Sequence, residues 1–261
     1  NFDILFACLF PPEDSVTDGG WSPLLTTEEI RIAMAGAEQT VPFGAQKLGM
    51  DIAEGGTNES VIVKRSANIA WVAFAEKVSD LMNLAGQFVL HSETEKGERL
   101  PGKARILDRV GVGSGVSARL YELGEDHVAA NVGQKSHDEA HFANLRAEAY
   151  WRFRQWIKSG GKLFPDRRWY QLSDVKFKPD SGGRLRIMSK DEMRKQGIPS
   201  PDVADAGMLT FLEDDATFRK SLEPAEAQMY RRLREKELNR KKYAQRVKDT
   251  TGKRFRSSRA R

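Results

Sequence analysis

The sequence predicts an α/β fold: a mixed sheet of three antiparallel strands followed by parallel ones, with helices on both faces. Three observations carry that reading. Strand-like runs at 47–52, 60–64 and 68–75 succeed one another as a meander. Further on, ARILDRVGV (104–112), a helix SARLYELG and a strand HVAANVG (127–133) alternate as a parallel pair joined by a crossover helix does. Two longer stretches, 78–91 and 141–158, carry apolar residues at helical spacing and supply layers to cover the sheet.

Taken in order, residues 1–45 read as a connector: a short apolar run, the loop PPEDSVTDGG, and a helix EEIRIAMAGA with the Thr27 hydroxyl as its N-cap and Glu28 and Glu29 in its first turn. In KLGMDIAEGG, Leu48, Met50 and Ile52 form a buried strand that ends at Gly55 and Gly56, with Asp51 inside it. The helix over 78–91 follows the meander. Asp108 lies within the fourth strand, and GVGSG (111–115) is a turn after it. The helix 141–158 places Phe142, Leu145, Ala149, Phe153 and Trp156 on one face and stops at Gly160. A hairpin over 175–190 turns at Asp180 to Gly183. A last helix has Ser200 as N-cap, Pro201 in its first position, and then Asp202 and Asp205.

Composition narrows the function classes. At 39% hydrophobic residues the 261-residue chain can bury a real core. No apolar run approaches the roughly 18 residues of a membrane span, so no membrane partner is expected. The single cysteine, Cys8, rules out an internal disulfide and a cysteine-rich zinc site. The chain begins at Asn1 and is expected to be a piece of a longer polypeptide. Sixteen of the 42 bases but only five of the 37 acids fall in 219–261. The body is thus mildly acidic, and the basic tail suits nucleic acid or an acidic protein surface.

The acids carry the chemistry. Asp51 in the first strand, Asp108 in the fourth, and Asp202 with Asp205 on a helix start come from three separate elements; residues three apart on a helix share a face. Each alone has a structural alternative, a turn former or a helix cap. Converging carboxylates without His or Cys make an all-oxygen site, the preference of Mg2+ or Mn2+. Two such ions serve phosphodiester hydrolysis, one activating water and the other stabilising the leaving oxygen.

Three competing motifs fail. GERLPGKA (97–104) is near a phosphate loop, but Ala104 stands in place of the hydroxyl and a strand follows it. In HDEAH, His137 and His141 are one turn apart, yet Asp138 replaces the catalytic Glu and no third ligand is apparent. GVGSG has Val116 where a dinucleotide loop has its third glycine.

GMDIAEGGTNESVIVKR, ILDRVGVGSGVSARLYELG, FANLRAEAYWRFRQWIKSG and MSKDEMRKQGIPSPDVADAGMLTF, in this order and spacing, resemble the C-terminal nuclease domain of the large terminase subunit of tailed bacteriophages, over about 45–212. The resemblance implies a ribonuclease-H-like fold and a two-metal endonuclease that cuts double-stranded DNA during genome packaging. It implies metal ligands at Asp51, Asp108 and the pair Asp202 and Asp205, leaning to Asp205, with Lys190 near the scissile phosphate. It further implies an ATPase motor domain upstream in the same polypeptide, the portal protein and small terminase subunit as partners, and the host cell cytoplasm as location. The expected division is a connector over 1–45, a nuclease domain over 46–218 and a basic tail over 219–261. DIAEGGT is also similar to the first phosphate loop of the actin and sugar-kinase superfamily, which leaves a phosphotransferase as one alternative. A non-catalytic DNA-binding or docking module is the other.

Overall fold

The computed structural model describes residues 19–53 and 58–212. The turn at Gly55 and Gly56, Cys8 and the basic tail lie outside the described residues. The first strand, β1 (Ser22–Pro23), is followed by α1 (Thr27–Met34). The cap of α1 is Thr26 rather than Thr27: its hydroxyl accepts from the Glu29 N–H while the Glu29 carboxylate accepts from the Thr26 N–H.

The meander is β2 (Lys47–Asp51), β3 (Ser60–Arg65) and β4 (Ile69–Glu76). Next, α2 (Leu81–His91) starts later than its apolar spacing suggested, because Asp80 caps it through the Met82 N–H. The strand expected over 104–112 is shorter, β5 (Arg105–Asp108), with Asp108 at its end rather than inside it. The Val110 N–H folds back onto Asp108 Oδ1 at 3.0 Å, and α3 (Gly113–Leu123) begins within the segment expected to be a GVGSG turn. Gly113 is required there, since a Cβ would meet the Asp108 carbonyl oxygen at 2.0 Å.

After β6 (Val128–Ala130) comes α4 (Leu145–Lys158), capped by the Asn144 side chain on the Ala147 N–H. It does not reach back to His141. The Leu185 N–H donates to the His141 carbonyl and the Ala143 N–H to the Leu185 carbonyl, which holds 141–143 extended. Then follow β7 (Lys162–Leu163), α5 (Gln171–Asp174), the hairpin β8 (Lys176–Pro179) and β9 (Leu185–Ile187), α6 (Lys190–Lys195) and α7 (Asp202–Leu209). Pro201 flanks α7 instead of opening it, and the Ser200 side chain makes no cap. The Val203 N–H is satisfied across the fold by Gln171 Oε1 at 2.8 Å.

Two sheets result. The larger runs β6-β5-β2-β3-β4-β7, with the meander antiparallel and β5, β6 and β7 parallel to their neighbours. The hairpin does not join it but forms a three-stranded sheet, β1-β8-β9. One face of the large sheet packs Leu48, Met50, Ile62 and Leu107 against Leu84, Phe88, Val116 and Leu120 of α2 and α3. The other face packs Val61, Val63 and Ile106 against α4 and α7. Residues 19–39 of the expected connector contribute Trp21, Leu24, Leu25, Ile30, Ala33 and Ala37 to buried positions.

Strand alternation decides where the acids point. Leu48 and Met50 face α2 and α3, so Gly49 and Asp51 face α7. Likewise Leu107 and Ile106 face opposite ways, which puts Asp108 on the α7 face. The parallel register pairs Gly49 with Ile106 and Met50 with Leu107; carried one step on, it sets Asp51 beside Asp108. Helix α7 lies directly on Gly49, where a Cβ would meet the Ala206 carbonyl oxygen at 2.3 Å. Only glycine permits that approach, and it brings Asp205 over Asp51.

Candidate active site

Asp51, Asp108, Asp202 and Asp205 line one cleft of about 560 Å³, together with Lys190, Arg146, Arg194, Asn58, Asn131 and Asn144. The cleft opens at the C-terminal ends of β2 and β5, where open α/β sheets place ligands. A larger cleft of about 800 Å³ opens at the opposite end of β2, beside Lys47 and Phe43. Among the described residues its acids are Glu95 and Glu98, both on one exposed loop, and the GERLPGKA segment borders it, with Gly102–Ala104 as a 3₁₀ turn before β5.

Asp205 is the most tightly held carboxylate. Its Oδ1 accepts from the Tyr150 hydroxyl at 2.6 Å and from Arg146 Nη2 at 3.1 Å, and its Oδ2 lies 3.0 Å from Lys190 Nζ. That Oδ2 is buried and has no partner in hydrogen-bond geometry. Lys190 Nζ also stands 3.9 Å from Asp51 Oδ2. Asp202 is turned aside: its Oδ2 accepts from the Glu59 N–H at 2.9 Å. Asp108 is partly exposed and rests on the Val110 N–H.

These surroundings divide the acids. Burial pushes the Asp51 carboxyl up to about 8; Lys190 pulls it down, and Asp205, Asp108 and Asp202 add repulsion. Burial likewise raises Asp108 and Asp202. Burial works against the charge of Asp205 too, but Lys190, Arg146 and Tyr150 outweigh it and hold its carboxyl well below the usual range. Lys190 is raised in turn, chiefly by Asp205.

Among the described residues no three His, Cys, Asp or Glu side chains are drawn together tightly enough to form a finished metal cluster. The Lys190 ammonium sits between Asp205 and Asp51 instead. The donor set still fits a hard divalent cation. Of the described residues, four carboxylates share the cleft with three cations, Lys190, Arg146 and Arg194; burial above all, with repulsion from the other acids added, is why Asp51 retains its proton. Asp205 Oδ2, buried and with no hydrogen bond, already faces a cation in the Lys190 ammonium at 3.0 Å, which shows that this oxygen is placed to take positive charge.

The HDEAH histidines are engaged elsewhere. His137 Nδ1 lies 3.2 Å from the buried Glu148, and His141 Nδ1 2.7 Å from Asp138.

Arg146 and Tyr150 escaped sequence reasoning. They are four apart on α4, on a stripe bordering the apolar face, and an Arg–Tyr pair at that spacing inside a core helix was the available signal. Arg146 also donates to the Met188 carbonyl at 2.9 Å, which ties α4 to the loop carrying Lys190. That loop held a second unused signal. In S-K-D-E, Ser189 and Glu192 form a reciprocal capping box, so Lys190 is the first residue of a helix rather than a hairpin end.

A mixed sheet with acids at the ends of its adjacent central strands and on a facing helix is a ribonuclease-H-like α/β fold. Among solved structures, the chain is similar to the nuclease domain of the large terminase subunit gp2 of bacterial virus Sf6, at TM-score 0.58 and 17% identity, covering 74% of this chain and 100% of that one. Mutant forms of the same domain match similarly. One, with manganese and beta-thujaplicinol, has TM-score 0.57 and 19% identity; another, with calcium, has 0.58 and 18%; each match covers 74% of this chain and 100% of the other. The fold is thus that of a phage large-terminase nuclease domain. No sequence-family model and no curated protein sequence matches the chain.

Proposed function

We propose that this chain is a divalent-metal-dependent endonuclease that cleaves double-stranded DNA during viral genome packaging. The observation that carries the reading is the convergence of Asp51, Asp108, Asp202 and Asp205, with Lys190 between them, in the cleft of a terminase-type fold. The manganese and calcium named for the gp2 domain support a divalent ion here. Asp51, Asp108 and Asp205 would hold two ions, Mg2+ or Mn2+, with Asp202 at the margin because the Glu59 N–H already occupies one of its oxygens. When bound, the ions supply Lewis-acid polarisation of the phosphate and an activated water. The chain's own groups do the positioning. Tyr150 and Arg146 fix Asp205, and Lys190, held at the acids on the half-exposed side of the cleft, would meet the charge of a phosphate there. Lys and Arg around the cleft, such as Arg194, grip the DNA backbone rather than read bases.

The context belongs to the same proposal: a nuclease domain over 46–218, with an ATPase domain upstream in the polypeptide, working in the host cytoplasm with the portal protein and small terminase subunit. The basic tail over 219–261 is proposed to dock on the portal. Truncation after Glu223 should then leave DNA affinity and its salt dependence unchanged and abolish portal binding; retained portal binding refutes it.

Plasmid digestion tests the function. Cleavage is expected with Mg2+ or Mn2+ and none with EDTA, and Asp51→Asn or Asp108→Asn should remove it from folded protein. Undiminished cutting by both variants refutes the site.

A further inference from the structure

Lys190 is half exposed and begins a helix of only six residues, so something else must hold it against Asp205 and Asp51. The contacts lead to Trp21, before the stretch that resembles terminases. Lys178 and Arg186 face each other in the register of β8 and β9, two like charges directly opposed. The Trp21 ring lies against both, 4.5 Å from Lys178 Nζ and 4.4 Å from the Arg186 guanidinium carbon, and its π-face offsets their repulsion. The placement is fixed by β1, whose Ser22 pairs with Phe177. Trp21 is buried with Met188 and Met193, which flank Lys190 on either side in sequence.

Arg186 in turn grips Glu192 through two hydrogen bonds, at 2.8 and 3.0 Å. Glu192 is the residue whose carboxylate takes the Ser189 N–H and hydroxyl and so fastens the first turn of α6. The Arg186 contact, with the Ser189 donors, holds its carboxyl down at about 2. A continuous set of contacts therefore runs Trp21, Arg186, Glu192, Ser189, Lys190.

We propose that Trp21 is a positioning residue for Lys190: the strap formed by Trp21 and β1 sets α6, through Arg186 and Glu192, so that the Lys190 ammonium is delivered to the acids. This rests on the nuclease reading for its catalytic consequence but not for its structural one. The test therefore has two arms on the full chain. Amide hydrogen exchange is followed over 189–195 and over β2 and β3 in wild type, Trp21→Ala and Trp21→Phe. Trp21→Ala is expected to speed exchange in α6 on the order of tenfold while β2 and β3 stay protected, and Trp21→Phe, which keeps a ring face, to restore most of the protection. In plasmid cleavage, Trp21→Ala is expected to lower kcat by roughly tenfold to a hundredfold with KM unchanged. Added to Lys190→Ala it should cost nothing more, because its only route to the reaction is already gone.

Unchanged α6 exchange, or an equal loss of cleavage in the Lys190→Ala background, overturns the proposal. Should Trp21→Ala expose the whole sheet to exchange, Arg186→Gln breaks the same chain of contacts at its middle and is held to the same α6-specific result. If the wild type cuts no DNA, the nuclease reading falls, and the exchange arm still decides whether Trp21 holds α6.

Discussion

Asp51→Asn should stabilise the metal-free protein while removing its metal response. In the fold the Asp51 carboxyl keeps its proton to about 8, against 3.8 for the ordinary side chain. Throughout that window the folded state binds more proton than the unfolded one, so this group's contribution to stability falls as pH rises and its full penalty is present above about pH 8. The gap gives a penalty of about 4 kcal/mol at pH 7 for a carboxyl that is only 5% exposed. Asparagine does not titrate and escapes it, but leaves an amide incompletely paired at a cost of about 1–3 kcal/mol. The net gain is about 2 kcal/mol at neutral pH, or a Tm rise of about 4–8 °C for a domain of this size, and it falls to zero near about pH 5, where the penalty only matches the cost of the amide. Thermal denaturation in EDTA between about pH 5 and pH 8 measures it as the difference between variant and wild type, in which all other titrations cancel. With Mg2+ or Mn2+ the order should reverse, because only the wild type gains stability from the ion. Parallel pH profiles, or a variant less stable at about pH 8 without metal, refute the reasoning.

Asp205→Asn should act oppositely in the same metal-free assay, destabilising by about 3 kcal/mol or more because the buried Arg146 and the Lys190 ammonium lose the negative charge they pair with. Its carboxyl is depressed in the fold, so that stability is present above 3.8 and is lost as pH falls through the lower folded value. Gly49→Ala sets a Cβ 2.3 Å from the Ala206 carbonyl oxygen and 2.9 Å from Leu209 Cβ. We expect a loss of about 1–3 kcal/mol in urea denaturation and a larger proportional loss of cleavage, since α7 must rise off the sheet with Asp205. Mn2+ affinity, measured by calorimetry, should climb by up to about tenfold per pH unit between about pH 6 and pH 8, with proton release, because the ion must displace the Asp51 proton.

Much of this was legible in the chain, for reasons particular to each element. The meander declared itself because β2, β3 and β4 alternate, or run continuously apolar, between obvious breakers, and because neighbours in sequence pair in space. Asp51 and Asp108 stood out because a carboxylate inside an apolar strand loses water contact and needs a cation or donors, and Asp202 with Asp205 because residues three apart on a helix share a face. Boundaries were less so. The expected strand over 104–112 and helix from 141 were too long because capping and cross-chain pairing, by the Val110 N–H on Asp108 and by Leu185 on His141 and Ala143, end elements that local apolar spacing would continue.

The sequence by itself determined the meander, the β5–α3–β6 crossover, the helices α2 and α4 and the hairpin, and showed on which of its elements four aspartates stand, because hydrophobic period and turn chemistry act over a few residues. Only the tertiary structure decided that the hairpin pairs with Ser22–Pro23 in a sheet of its own, that Arg146 and Tyr150 grip Asp205, and that Trp21 reaches Lys190 through Arg186 and Glu192. Those contacts join residues from distant parts of the chain. Local propensity is blind to them, since their energy exists only when the packed elements bring the charges and rings within a few ångströms of each other.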